Sequence, residues 1–218
     1  MKSVTPDRHS RRRFVQGVAA LGSAGLLRRA PAADALAPAT DALAPAGPGV
    51  LDGPRLNLTV GSVALTVGGH RCMATAVNGS VPGPVLRLRE GDEAVIQVTN
   101  RLSKPTSIHW HGIRLPSDQD GVPGLSFRGI DPGAVFTYRF PVRQAGTYWY
   151  HSHSGMQEQT GLYGALIIDP RSPAPYAYDR EHVLLLSDWT CEDPVTVLSN
   201  LKQQSNVYNS QRSTVATL

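Results

Sequence analysis

At 218 residues, 41% of them hydrophobic and 17% charged, the chain has the composition of a globular protein long enough to bury one sizeable core. Its formal net charge of +4 invites a nucleic-acid reading, but seven of the 21 Lys and Arg fall in residues 1–30 against one acid, Asp7, and the remainder is slightly acidic. No basic face for phosphate persists beyond that leader, so nucleic acid is excluded as a partner class.

The leader itself carries a pattern. Ser10-Arg11-Arg12-Arg13-Phe14 precedes an apolar run of eleven residues from Gly17 to Leu27, the order of a twin-arginine export signal. Eleven residues is about half of the ~20 needed to span a bilayer, so no membrane anchor is expected, and the destination is the periplasm. Residues 31–53 are rich in Ala, Pro and Gly, repeat DALAPA at 34–39 and 41–46, and read as a spacer outside the fold. Leader and Ala/Pro spacer together are assigned to residues 1–46, with several Ala-x-Ala cleavage sites between Ala30 and Ala46.

From Pro54 the texture changes to short alternating runs: LNLTV (56–60), SVALTV (62–67), VLRLR (85–89), AVIQVTN (94–100), SIHWHGI (107–113), VFTYRF (135–140), GTYWYHSH (146–153) and YGALIID (163–169). Turn formers separate them, as at Asn78-Gly79, Pro82-Gly83-Pro84, Gly91-Asp92 and Asp131-Pro132-Gly133. Short strands at this spacing, with no helical period among them, predict an all-β domain over 54–170, an antiparallel sandwich. Beyond Asp169 a Pro-rich linker leads to HVLLLSD (182–188), a further candidate strand, and then to Val195, Leu198 and Leu201 at helical spacing behind Pro194, which predicts a helix over 194–203. Residues 171–218 are too few for a second core and read as the truncated start of another domain. The two cysteines, Cys72 and Cys191, lie in no metal-binding spacing; a pairing between them cannot be read from the sequence, and free thiols are the expectation.

Four of the seven histidines form two His-x-His pairs, His109/His111 and His151/His153. On a strand, residues i and i+2 share one face ~6.5 Å apart, so each pair presents both imidazoles to the same side. One such pair is commonly structural. Two pairs, each at a strand end beside glycine in HWHGI and HSHSG, point instead to a shared metal pocket, and an all-imidazole donor set suits copper or zinc. His9, His70 and His182 share none of this and are assigned no role.

SIHWHGI, DGVPGLSFRGIDPG and FPVRQAGTYWYHSHSGMQEQTGLYGALIIDP resemble the first cupredoxin domain of multicopper oxidases, in particular the periplasmic copper-resistance oxidases of bacteria. REHVLLLSDWTCEDP and LKQQSNVYN resemble the opening of their second domain. The resemblance implies a cupredoxin-like Greek-key β-sandwich that supplies half the ligands of a trinuclear copper cluster. By that match His109 binds the type 2 copper, His111 and His151 one type 3 copper, and His153 the other. It further implies an oxidase that couples oxidation of Cu(I) or phenol-like donors to reduction of dioxygen to water. Trp110, Tyr148, Trp149 and Tyr150 would support that cluster or, on the plainer reading, serve core packing alone. The family's His-Cys-His segment for the type 1 copper has no counterpart here, because neither cysteine is flanked by histidine on both sides. The chain alone is therefore expected to be inactive and to depend on further cupredoxin domains or a partner chain. The alternative is a non-catalytic periplasmic module that sequesters copper through the four histidines.

Overall fold

The computed structural model describes residues 48–124, 126–173 and 177–209. The twin-arginine leader and the spacer to residue 46 lie outside these. The described chain folds into two packed sheets. One has five strands, β1 (Val50–Asp52), β4 (Val85–Arg89), β9 (Tyr163–Asp169), β8 (Gly146–His151) and β6 (His109–His111), in that spatial order. The other has four, β3 (His70–Val77), β2 (Arg55–Val67), β5 (Glu93–Asn100) and β7 (Val135–Pro141). Among these residues no helix is long and apolar enough to cross a membrane.

The alternation read in the sequence is what closes the sandwich. Leu56, Leu58 and Val60 of β2, Ala94, Ile96 and Val98 of β5, and Tyr138 and Phe140 of β7 face Leu86, Leu88, Trp110, Tyr150, Leu166 and Ile168 of the opposing sheet, all in one buried cluster. The intervening residues turn outward, as a period of two requires. Tyr138 shows how tightly this core is joined to the site: its hydroxyl accepts the Ile108 N–H at 3.1 Å, immediately before β6. Burial pushes the pKa of that phenol upward, so it remains a neutral hydrogen-bonding group.

Five features of the strands depart from the sequence reading. The sheets are mixed rather than antiparallel: β1 with β4, β4 with β9, and β2 with β5 all pair in parallel. Parallel neighbours need crossover connections, and the chain makes them by passing repeatedly between the two sheets, which no local pattern encodes. LNLTV and SVALTV form one 13-residue strand through Gly61. β3 is unpredicted because HRCMATAV does not alternate, and β1 falls in the stretch read as spacer, where three residues gain strand form by lying along β4. HVLLLSD forms no strand among the described residues.

The described C-terminal segment, to residue 209, belongs to the same compact unit as the sandwich. Asp193 caps helix α1 (Pro194–Gln203), its carboxylate accepting the Thr196 N–H at 3.1 Å, as the Asp-Pro boundary predicts. Before the helix, the segment runs along the outer face of the five-stranded sheet. Arg87 on β4 holds Asp169 through two 2.7 Å hydrogen bonds and Glu181 through one of 3.0 Å, while Tyr163 on β9 meets the Ser187 hydroxyl at 2.8 Å. β9 is thereby covered on both faces, which is why YGALIID is a continuous apolar run instead of an alternating one. Contrary to the expectation of free thiols, Cys72 on β3 and Cys191 are joined in a disulfide, their Cα atoms 5.4 Å apart and 119 residues apart in sequence. The segment crosses from one sheet to the other to bring them together, a juxtaposition that spacing cannot reveal.

Tyr150 occupies a space that two glycines leave open. A Cβ on Gly164 would run into its ring and hydroxyl, and its hydroxyl donates to the buried Pro84 carbonyl at 2.8 Å. Substituting Gly164→Ala should displace Tyr150, adjacent to His151, and lower stability by about 1–3 kcal/mol; a urea melt with an unchanged midpoint would contradict this packing.

Candidate metal centre

β6 and β8 are antiparallel neighbours, and their register places His109 opposite His151, Trp110 opposite Tyr150 and His111 opposite Trp149. Trp110 and Tyr150 point into the core and are fully buried. The imidazoles therefore project from the other side, the outer face of the five-stranded sheet. His153 lies just past β8. The two pairs come together side by side on adjacent strands.

All four predicted histidines are gathered here. Ring centroids of His109 lie 5.5 Å from His111, 5.3 Å from His151 and 4.9 Å from His153; His151 lies 5.4 Å from His111 and 5.3 Å from His153. One ring nitrogen each from His109, His151 and His153 falls within 4.8 Å of the others. His111 joins through Nδ1, which stands 3.2 Å from His151 Nε2. Two imidazole donors held ~2.0–2.1 Å from one ion at a tetrahedral angle are separated by ~3.3 Å, so this pair is already spaced to share a metal. The donor set is imidazole throughout, which suits copper in either oxidation state and also zinc.

The nitrogens turned away from the centre are held from behind. His109 Nδ1 lies 2.8 Å from the Asp120 carbonyl and 3.2 Å from its carboxylate. His151 Nδ1 lies 2.8 Å from the Glu158 carboxylate and 3.1 Å from the Ser152 carbonyl. An acceptor at Nδ1 keeps the ring proton on that nitrogen, as the donor of the hydrogen bond, and leaves Nε2 as a lone-pair donor aimed at the centre. Burial, the largest influence, holds the His151 imidazole below its ordinary pKa, with the neighbouring rings of His109 and His153 acting in the same direction. The neutral, metal-binding form of His151 therefore persists to lower pH than in an exposed histidine. Trp149 completes this side, its ring stacked on His151 at 4.1 Å and on His111 at 5.0 Å.

Loop geometry sets these acceptors in place. Gly121 adopts φ +73°, and a Cβ there would collide with the Ile108 carbonyl, so only glycine lets the Asp120 backbone lie against the start of β6. Gln157 ties the two histidine segments together. Its Oε1 accepts from the Thr106 hydroxyl at 2.6 Å and the Ser152 hydroxyl at 3.0 Å, and its Nε2 donates to the Pro105 carbonyl at 2.8 Å. The Ser107 hydroxyl accepts the His153 N–H at 3.0 Å and meets the Ser154 hydroxyl at 2.9 Å.

Asp120, Glu158, Gln157 and Ser107 are absent from the sequence reading. Asp120-Gly121 is a turn signal ahead of Pro123, but nothing in the spacing connects it, or Glu158, to a particular imidazole. Of the aromatics predicted to surround the site, Trp149 contacts the imidazoles directly, Trp110 and Tyr150 are core residues, and Tyr148 hydrogen-bonds Ala145 and Gln144 on the far end of β8.

Comparison with known proteins gives concordant matches. The family model described as multicopper oxidase matches residues 59–173. The chain is 51% identical over 213 residues to a copper resistance protein A homolog of Pseudomonas syringae pv. tomato, covering 96% of this chain and 35% of that protein. It is 57% identical over 165 residues to copper resistance protein A of Escherichia coli, covering 76% and 27%. Among solved structures, a multi-copper oxidase from Pseudomonas thermotolerans matches with TM-score 0.54 at 38% identity, covering 60% of this chain and 32% of that one. The laccase of Botrytis aclada matches with TM-score 0.53 at 46% identity, covering 61% and 24%. The chain spans about a third or less of the length of the curated relatives it matches.

Gln157→Leu would leave the Thr106 and Ser152 hydroxyls and the Pro105 carbonyl short of a partner. It should cost about 1–3 kcal/mol in a chemical melt and weaken metal binding together with stability. A variant with wild-type values of both would show that the histidine segments are held by other contacts.

Proposed function

Because the chain belongs to the multicopper oxidase family, we propose that it is the copper-binding N-terminal part of a copper-resistance oxidase and supplies half of a trinuclear copper cluster through His109, His111, His151 and His153. The observation that carries this reading is the convergence of the two His-x-His pairs, with His111 Nδ1 and His151 Nε2 facing each other at 3.2 Å. Those two histidines are assigned to one type 3 copper, His109 to the type 2 copper and His153 to the second type 3 copper. The tautomers support the assignment: His109 and His151 both have Nδ1 against oxygen acceptors, leaving Nε2 for the metal, whereas His111 offers Nδ1.

When bound, the coppers would relay electrons from the reducing substrate to dioxygen, four for each dioxygen reduced to water. The chain's own residues hold the imidazoles in place for this. Trp110 and Tyr150 anchor the two strands in the core, the Asp120 and Ser152 carbonyls hold the ring protons, and Trp149 covers the stacked rings of His111 and His151. His111 and His153 are exposed, which leaves the outward side of the cluster open to ligands from another surface. We assign the remaining cluster histidines and the type 1 copper to further cupredoxin domains or a partner chain, since both cysteines among the described residues are consumed in the Cys72–Cys191 disulfide. The reducing substrate is assigned as Cu(I) or a phenol-like donor, in line with relatives named copper resistance protein A and laccase. Residues 10–27, with paired arginines ahead of a short apolar run, support export to the periplasm by the twin-arginine route.

The 218-residue chain should bind copper tightly, and His109→Ala combined with His153→Ala should abolish that binding, read by competition against a chelator of known affinity. Unchanged binding would move the site elsewhere. In an oxygen electrode the copper-loaded chain alone should consume no dioxygen with Cu(I) or a phenol; steady consumption would overturn the division of the cluster between this chain and further domains.

A further inference from the structure

Building on that reading of the four histidines, we propose that Glu158 is a positioning residue that tunes the ion held by His151, favouring Cu(II) over Cu(I). Its carboxylate is the nearest acceptor to His151 Nδ1, at 2.8 Å, ahead of the Ser152 carbonyl at 3.1 Å. The order is reversed at His109, where the Asp120 carbonyl at 2.8 Å is closer than the carboxylate at 3.2 Å. Among the described residues, no such acceptor lies behind the rings of His111 or His153. His151 is thus the one imidazole in the cluster whose Nδ1–H has an anion as its nearest acceptor.

It is also the most buried, at 4% exposure. A charge acts most strongly on a group held out of water, as the His151 ring is, and Glu158, though 37% exposed on its outer side, forms no other ion pair among the described residues to divert it. The Ser152 carbonyl would by itself hold the ring and select the tautomer. What Glu158 adds is formal negative charge, passed through a charge-assisted hydrogen bond to the donor nitrogen on the opposite side of the ring. The carboxylate borders a cavity of about 210 Å³ shared with Trp149, Tyr163 and Leu185, so its outer side is not sealed by protein. Replacing it by the isosteric amide removes charge while leaving size and an acceptor oxygen.

The test compares the full chain with Glu158→Gln, using Cu(II) and Cu(I) alone as probes, each in competition with a chelator of known affinity. Cu(II) affinity should fall ~10-fold. Cu(I) affinity should fall only about threefold, because the attraction scales with the charge of the ion. The Cu(II)/Cu(I) midpoint of the bound ion should therefore rise by ~30 mV, at 59 mV per tenfold for one electron. A merely structural loss would weaken both ions by one factor and leave the midpoint unmoved; that result, or no change in either affinity, overturns the proposal. A second measurement does not depend on the variant: ¹⁵N spectra of the metal-free chain should show His151 protonated at Nδ1, and a proton at Nε2 would equally overturn it. The site reading fails separately. If the unaltered chain binds no copper, or binds it as well without His109 and His153, that assignment falls; if it binds copper and Glu158→Gln behaves as the wild type, the role of Glu158 alone is lost.

Discussion

The register between β6 and β8 governs the rest of the molecule. With His109 opposite His151 and Trp110 opposite Tyr150, a period of two sends aromatic rings into the core and imidazoles to the outer face. A slip of one residue would reverse both sets. It would expose a tryptophan and a tyrosine, whose burial of 150–250 Å² each is worth on the order of 4–6 kcal/mol at ~25 cal/mol per Å², and drive histidines into an apolar interior. The packing that stabilises the sandwich is thus the same packing that gathers the four imidazoles on one face, and that cluster needs little stabilisation of its own.

Around that register the loops have a narrower task, which is to orient rings already brought together. Asp120 reaches His109 because Gly121 lets the backbone lie against Ile108, and Glu158 reaches His151 from the loop tied down by Gln157. Strands set distances between imidazoles to within a few ångströms; loops decide which nitrogen carries the proton. The two functions draw on different physics, apolar burial in one case and hydrogen-bond satisfaction at partly buried groups in the other. Both converge on a cluster of four imidazoles on one face.

The C-terminal segment adds a second layer on the same outer face. It covers β9, is held by Arg87 and Tyr163, and is clipped to β3 by the disulfide. Leu184 and Leu186, 85% and 92% exposed, turn away from the sandwich, while Val183 and Leu185 turn toward it. The alternation that suggests a strand in HVLLLSD is therefore present as a two-faced segment, without the partner strand that would make it part of a sheet.

The fold class and the gathering of four histidines on one face were legible in the amino-acid sequence because both rest on local periodicity. Alternating runs such as VFTYRF and AVIQVTN encode which face is apolar, and His-x-His on a strand encodes a shared face for two imidazoles, whatever lies elsewhere in the chain. The helix at Pro194–Gln203 was legible for a similar reason, since capping by Asp193 and entry at Pro194 are nearest-neighbour effects. Tertiary structure alone decided which strands run parallel, that Cys72 meets Cys191 across 119 residues, and that Asp120 and Glu158 stand behind His109 and His151. Each of these depends on where distant segments come to rest once the core has closed, and the energy that brings them there is spread over the whole apolar cluster rather than written in any one stretch of residues.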